Sequence, residues 1–148
     1  MPAPKATPKP PVSLGPKPTG RVCQWCYTGI PAHRMAFRSG PYPFGRCTFY
    51  AWLRDTRLTG LHNAGTWDNF ARGRGFRVGS TPAPNSTVVF EANVQGAGHL
   101  GHVGHVERVL GNGWFLLSEM NFTWNGGGNS IVSYRFAHAG PGVSFIYR

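Results

Sequence analysis

"GHLGHVGHVERVLGNGWFLLSEMNF", residues 98–122, decides how the second half of this 148-residue chain folds. Asn112-Gly113 is the strongest short hairpin signal, because a two-residue type I′ turn needs positive φ at both central positions, which Asn and Gly adopt at least cost. One strand is therefore predicted to end near Gly111 and another to begin at Trp114. With Gly111 opposite Trp114, Gly104 falls opposite Asn121 and Val106 opposite Glu119. Side chains alternate between faces and opposed residues share one. His102, Gly104 and Val106 then share a face with Phe115, Leu117, Glu119 and Asn121, and His102 is diagonal to Asn121 across the space left by Gly104. His105 and Glu107 point to the other side with Ser118 and Met120. A slip of one residue would invert this assignment, so it depends on the Asn-Gly turn.

Outward from the hairpin, period-two patterning after Pro84 predicts further strands over Thr87–Glu91, Ile131–Phe136 and Val143–Tyr147. Upstream the period changes. A helix is predicted from Cys47 to about Leu58, with Phe49, Trp52 and Leu53 on one buried stripe. A second short helix is predicted over Trp67–Arg74, capped by Thr66 and stopped at Gly75. Helices first and antiparallel strands afterwards make an α+β domain, and the chain has room for one such core.

Residues 1–20 contain seven prolines and all three lysines, Lys5, Lys9 and Lys17. This stretch reads as an extended, unpacked tether, with 21–148 as the folded domain. Twelve arginines complete a basic chain of net charge +10, which favours an anionic partner such as a wall polymer, a lipid headgroup or nucleic acid. The arginines are scattered and no nucleic-acid-binding motif is present, so nucleic acid is disfavoured. No stretch is long and apolar enough to span a bilayer, and the N-terminus lacks the apolar core of an export signal.

The three cysteines fall into two classes. Cys23 and Cys26 form a C-x-x-C, for which packed or disulfide-bonded thiols are favoured over zinc, because His33 and His62 supply no second paired spacing. Cys47 instead opens a helix, where unpaired N–H groups, the positive end of the dipole and the neighbouring Arg46 all favour thiolate. Gly45 removes bulk where a substrate carbonyl would approach. A thiol nucleophile needs a base, and the base needs a group that fixes its tautomer. The hairpin nominates His102 for the first role and Glu119 or Asn121 for the second.

"YPFGRCTFYAW" (42–52), "NAGTWDNFA" (63–71), "GHVGHVERV" (101–109) and "LLSEMNF" (116–122) resemble, in order, the motifs of the CHAP domain, the cysteine- and histidine-dependent amidohydrolase/peptidase module of peptidoglycan hydrolases. The resemblance covers about residues 40–148. It implies a papain-like fold, with N-terminal helices on an antiparallel sheet, and a nucleophile at Cys47 with its histidine at His102. Its acid falls on Glu119 and the associated amide on Asn121. Arg46 departs from the glutamine usual before the cysteine, and His105 fits a structural role. Arg46, Trp67 and Trp124 are expected to bind substrate. No cofactor or metal is implied, since the Asp-rich calcium loop of some relatives is missing. The expected substrate is an amide of bacterial peptidoglycan, either the muramoyl–L-alanine bond or one within the peptides. Without an export signal, the expected route to the wall is a phage particle or release at lysis, and the Pro-rich arm would attach to a virion or tail assembly. The competing expectations are a catalytically silent virion protein of the same fold and a basic module that binds anionic polymers.

Overall fold

The computed structural model describes residues 14–148. Seven strands form one antiparallel sheet: β1 (His33–Arg34), β2 (Val78–Gly79), β3 (Thr87–Phe90), β4 (His102–Gly111), β5 (Trp114–Met120), β6 (Ile131–His138) and β7 (Val143–Ile146), in the order β1-β6-β5-β4-β3-β7-β2. Two helices, α1 (Cys47–Arg54) and α2 (Trp67–Gly73), precede all strands but β1, with a 3₁₀ turn over Ala64–Thr66 between them. The class is α+β, as expected. The two-residue strands β1 and β2 were not anticipated, being too short to carry a period.

Helix α1 is shorter than predicted because Asp55 leaves helical geometry and its N–H closes on Ala51 and Trp52 carbonyls. Its buried side is Phe49, Tyr50 and Ala51, while Trp52 and Leu53 are half-buried. The Thr66 hydroxyl does not cap α2: it donates to the Asn63 carbonyl, within the 3₁₀ turn that leads into the helix. One apolar layer joins the helices to the sheet through Ala51, Leu61, Trp67, Val89, Val103 and Ile146. A second, containing Val88, Phe90, Val106, Phe115, Leu117 and Phe145, covers the opposite face.

The hairpin forms as read, with Asn112 at φ 54° and Gly113 at φ 83°. Its register then departs from the simple count. Gly111 opposes Trp114, but irregularities between Val109 and Gly111 and between Val106 and Arg108 leave Val106 opposite Leu117 and His105 opposite Ser118. Each bulge turns the side chains over once, so two of them restore the original faces two residues further on. Glu119, instead of Asn121, thereby becomes the diagonal neighbour of His102.

Residues 1–13 of the proposed tether, with Lys5 and Lys9, lie outside the described residues. Residues 14–20 form no helix or strand, yet they are tied to the domain. The Gly15 N–H donates to the Glu107 carbonyl at 3.4 Å, Arg108 Nε to the Gly15 carbonyl at 2.9 Å, and the Thr19 N–H to the Thr28 carbonyl at 2.9 Å. Among the described residues no helix is long and apolar enough to cross a membrane.

Candidate active site

Cys47 opens α1 and His102 opens β4. Helix α1 packs on the face bearing Val103 and Met120, opposite the face His102 shares with Glu119. Because each residue stands at the end of its element, thiol and imidazole still come together around the end of β4, where they line one cavity and act on each other's charge. His102 Nε2 lies 2.8 Å from Glu119 Oε1, which leaves Nδ1 for the sulfur. Gly104 makes this approach possible: a Cβ there would stand 2.7 Å from Leu117 Cδ1 and 3.0 Å from the Ser118 carbonyl oxygen.

The electrostatics follow from burial and neighbours. Burial pushes the Cys47 thiol up, but the hydrogen bond and charge of His102, with backbone hydrogen bonds at Val103 and Thr48, carry it below its ordinary value. Burial opposes the charge on His102 too. Its bonds to Cys47 and Glu119 and their negative charges overcome this and raise it from 6.5 to about 9. Arg46, the N-cap, makes no side-chain capping bond, and no acidic residue occupies the first turn of α1, so the helix start remains electropositive toward the sulfur.

Glu119 is itself fully buried, and burial would raise its carboxyl. Arg135 lowers it with its charge and hydrogen bonds, and His102 adds to the effect. Arg135 Nε and Nη2 reach the two carboxylate oxygens at 2.8 and 2.9 Å, and Nη1 donates to the Gln95 carbonyl at 2.7 Å. The guanidinium is 1% exposed and lies 4.0 Å from the Phe122 ring centroid. A buried charge survives only when paired and hydrogen-bonded, and this one is both. Sequence reasoning missed Arg135. The available signal was a single Arg, the one formal charge at pH 7, in the strand "IVSYRFAH" (131–138).

A cavity of about 760 Å³ opens over Cys47 and His102, lined also by Trp25, Arg46, Asn121 and Phe122. Arg46 is exposed on its wall. Asn121, at φ 60° just past β5, is exposed on the cavity and does not partner the imidazole. Two expected substrate contacts are corrected. Trp67 is 0% exposed, with its indole N–H on the His62 carbonyl at 3.0 Å, because the apolar stripe of α2 needs it as core. Trp124 does not line the cavity, since Trp25 stands against it edge-on at 5.3 Å between ring centroids. Gly45 is corrected as well. It lies buried at φ 92° against Asn129 and Ser130, and a Cβ would strike both, so its role is to brace the loop.

His105 and Glu107 do face the other way. Glu107 Oε1 accepts from Ser118 and Arg54, while His105 is buried with its Nε2 3.3 Å from Asn85 Oδ1. Burial, then the charge of Arg54, depresses His105 to about 4, leaving it neutral at pH 7. Cys23 and Cys26 are joined in a disulfide, which rules out zinc at that pair.

A profile described as the CHAP domain matches residues 37–121. The chain is 38% identical over 115 residues to an N-acetylmuramoyl-L-alanine amidase domain-containing protein of Staphylococcus aureus, covering 74% of this chain and 18% of that protein. Against the N-acetylmuramoyl-L-alanine amidase sle1 of Staphylococcus haemolyticus it is 37% identical over 99 residues, 64% of this chain and 28% of the relative. A crystal structure of an N-acetylmuramoyl-L-alanine amidase from Staphylococcus aureus superposes with a TM-score of 0.63 at 36% identity, covering 77% of this chain and 34% of that one. The chain thus spans about a third or less of the length of each of these proteins.

Proposed function

Because the chain belongs to the CHAP domain family, we propose that it hydrolyses an amide bond of bacterial peptidoglycan in the papain-like manner, with a helix-borne cysteine acting against a sheet-borne histidine. The observation that carries this reading is the continuous array Cys47–His102–Glu119, with the thiol lowered and the imidazole raised. The Cys47 thiolate attacks the amide carbon, and the backbone N–H groups at the start of α1 receive the negative charge that develops on oxygen. Imidazolium gives its proton to the departing amine, leaving a thioester and neutral His102. Water, deprotonated by His102, then attacks the thioester carbon and expels the acid, restoring thiolate and imidazolium. Glu119 holds the ring orientation throughout. Asn121 and Arg46, both on the cavity wall, contact the bound substrate.

The names of the relatives support the muramoyl–L-alanine bond over those within the peptides. Digestion of purified walls, with products identified by mass spectrometry, should release stem peptides bearing a free L-alanine amine. New amines at any other residue would refute the assignment to that bond. Cys47→Ala should abolish clearing of walls while leaving the protein folded, and residual clearing would eliminate the thiolate mechanism.

A further inference from the structure

One wall of the cavity is built from residues that the proposed chemistry does not use. Trp25 lies inside the four-residue ring closed by the Cys23–Cys26 disulfide, and the Cys26 N–H also donates to the Cys23 carbonyl at 3.1 Å. Its φ of 65° belongs to the left-handed region, where a bulky residue persists only if the surroundings impose it. The indole is 39% exposed and lines the same cavity as Cys47 and His102. It lies nearly parallel to Phe122 (5° between planes, 6.1 Å between centroids) and is backed by Trp124. Phe122 continues the row to His102, 5.1 Å from that ring. Gly96 is the residue this arrangement allows: a Cβ would stand 2.6 Å from Trp25 Cη2 and 2.9 Å from Phe122 Cζ.

Around this indole the cavity is mixed, with the exposed polar side chains of His99, Asn121 and Thr123 at its rim beside the exposed Leu100. An aromatic face takes up the C–H face of a pyranose, while its hydroxyl and acetamide groups need hydrogen-bonding partners at the edge. An aliphatic chain would instead need an apolar wall without such a rim. We propose that the part-exposed indole of Trp25, backed by the buried Phe122, forms a saccharide subsite that seats an N-acetylhexosamine ring of the glycan beside the reaction centre, with the Cys23–Cys26 disulfide holding the indole in place before binding. The inference rests on the reading of the Cys47–His102 cavity as a peptidoglycan site, in which the scissile amide hangs from a sugar. Clamping the indole in advance spares the ordering entropy that a free loop would lose on binding.

The test uses the Cys47→Ala protein, so that binding is read without turnover. Titration with N-acetylglucosamine tetramer should shift the Trp25 indole N–H resonance. Trp25→Ala in that background should weaken affinity at least tenfold, and Trp25→Phe should recover part of the loss. Cys23→Ser/Cys26→Ser, with Trp25 retained, should weaken binding several-fold, with an unfolding transition still present. Equal affinity in the Trp25→Ala protein, or a Trp25 shift produced only by an L-alanyl-γ-D-glutamyl peptide, would overturn the subsite. Tetramer binding by the Cys47→Ala protein, with no clearing of walls by the parent chain, would leave the subsite and reject the hydrolase. Clearing without tetramer binding would do the reverse.

Discussion

At the level of single residues, Cys47 and His102 hold each other's charge, and this sets a pH window. The nucleophile is ionised above a pKa lying below the ordinary thiol value of 9.0, while His102 keeps its proton up to about 9. A plot of kcat/KM against pH should be bell-shaped, with its alkaline limb near pH 9. A limb near 6.5 would show that the imidazole is unsupported. His102 binds its proton more tightly folded than unfolded, so its contribution to stability is complete below pH 6.5 and is lost as pH rises through about 9. Since Cys47 supplies part of the support, Cys47→Ala should lower the His102 pKa, measurable by NMR titration.

Arg135 governs the next link. Arg135→Met should leave the buried Glu119 without its two-pronged cation, with His102 as its remaining partner, at a cost of about 3–5 kcal/mol, read as a fall in the denaturant midpoint. Arg135→Lys should recover only part, because an ammonium cannot form the two-pronged contact. Equal stability of Arg135→Met and the parent chain would show that His102 alone is enough to hold the Glu119 carboxylate.

Among the elements, the β4–β5 hairpin shows how much the sequence disclosed. The Asn112-Gly113 turn and the alternation of "HVGHVERV" were enough to put His102 and Glu119 on one face and His105 on the other. Neither bulge has a signature in that string, so the string leaves the partner of the imidazole open between Glu119 and Asn121, and the bulged register decides it for Glu119. Trp67 was misassigned for a related reason: pattern places an aromatic residue on a helix but does not say whether the helix turns it toward the core or the solvent. Cys47 was legible because a helix start has electrostatic consequences independent of tertiary detail. Gly104→Val tests the element directly. Its side chain would press Leu117 and the Ser118 carbonyl, move β4 from β5 and lengthen the His102–Glu119 contact. Activity should fall at least tenfold with a lower His102 pKa, whereas unchanged values would mean that the strands tolerate the bulk.

Over the whole molecule, charge is distributed unevenly in kind. The net charge is +10, and Arg57, Arg74, Arg77 and Arg148 gather around Phe76 and Tyr147 in a cavity apart from the catalytic one. Exposed charge acts through solvent and is screened over roughly 10 Å at 0.1 M salt. Retention of the Cys47→Ala protein on purified walls should therefore decline steeply as salt is raised, in a sedimentation assay. Retention independent of salt would assign adhesion to contacts other than charge.

The buried row behaves differently. Thiolate, imidazolium, carboxylate and guanidinium alternate in sign, and between the free protein and the thioester the sulfur's negative charge and the imidazole's positive charge are both gone. Acylation is thus electroneutral within the protein, with no counter-ion to recruit or shed. Turnover at saturating substrate should be flat across ionic strength even where capture of the wall is not.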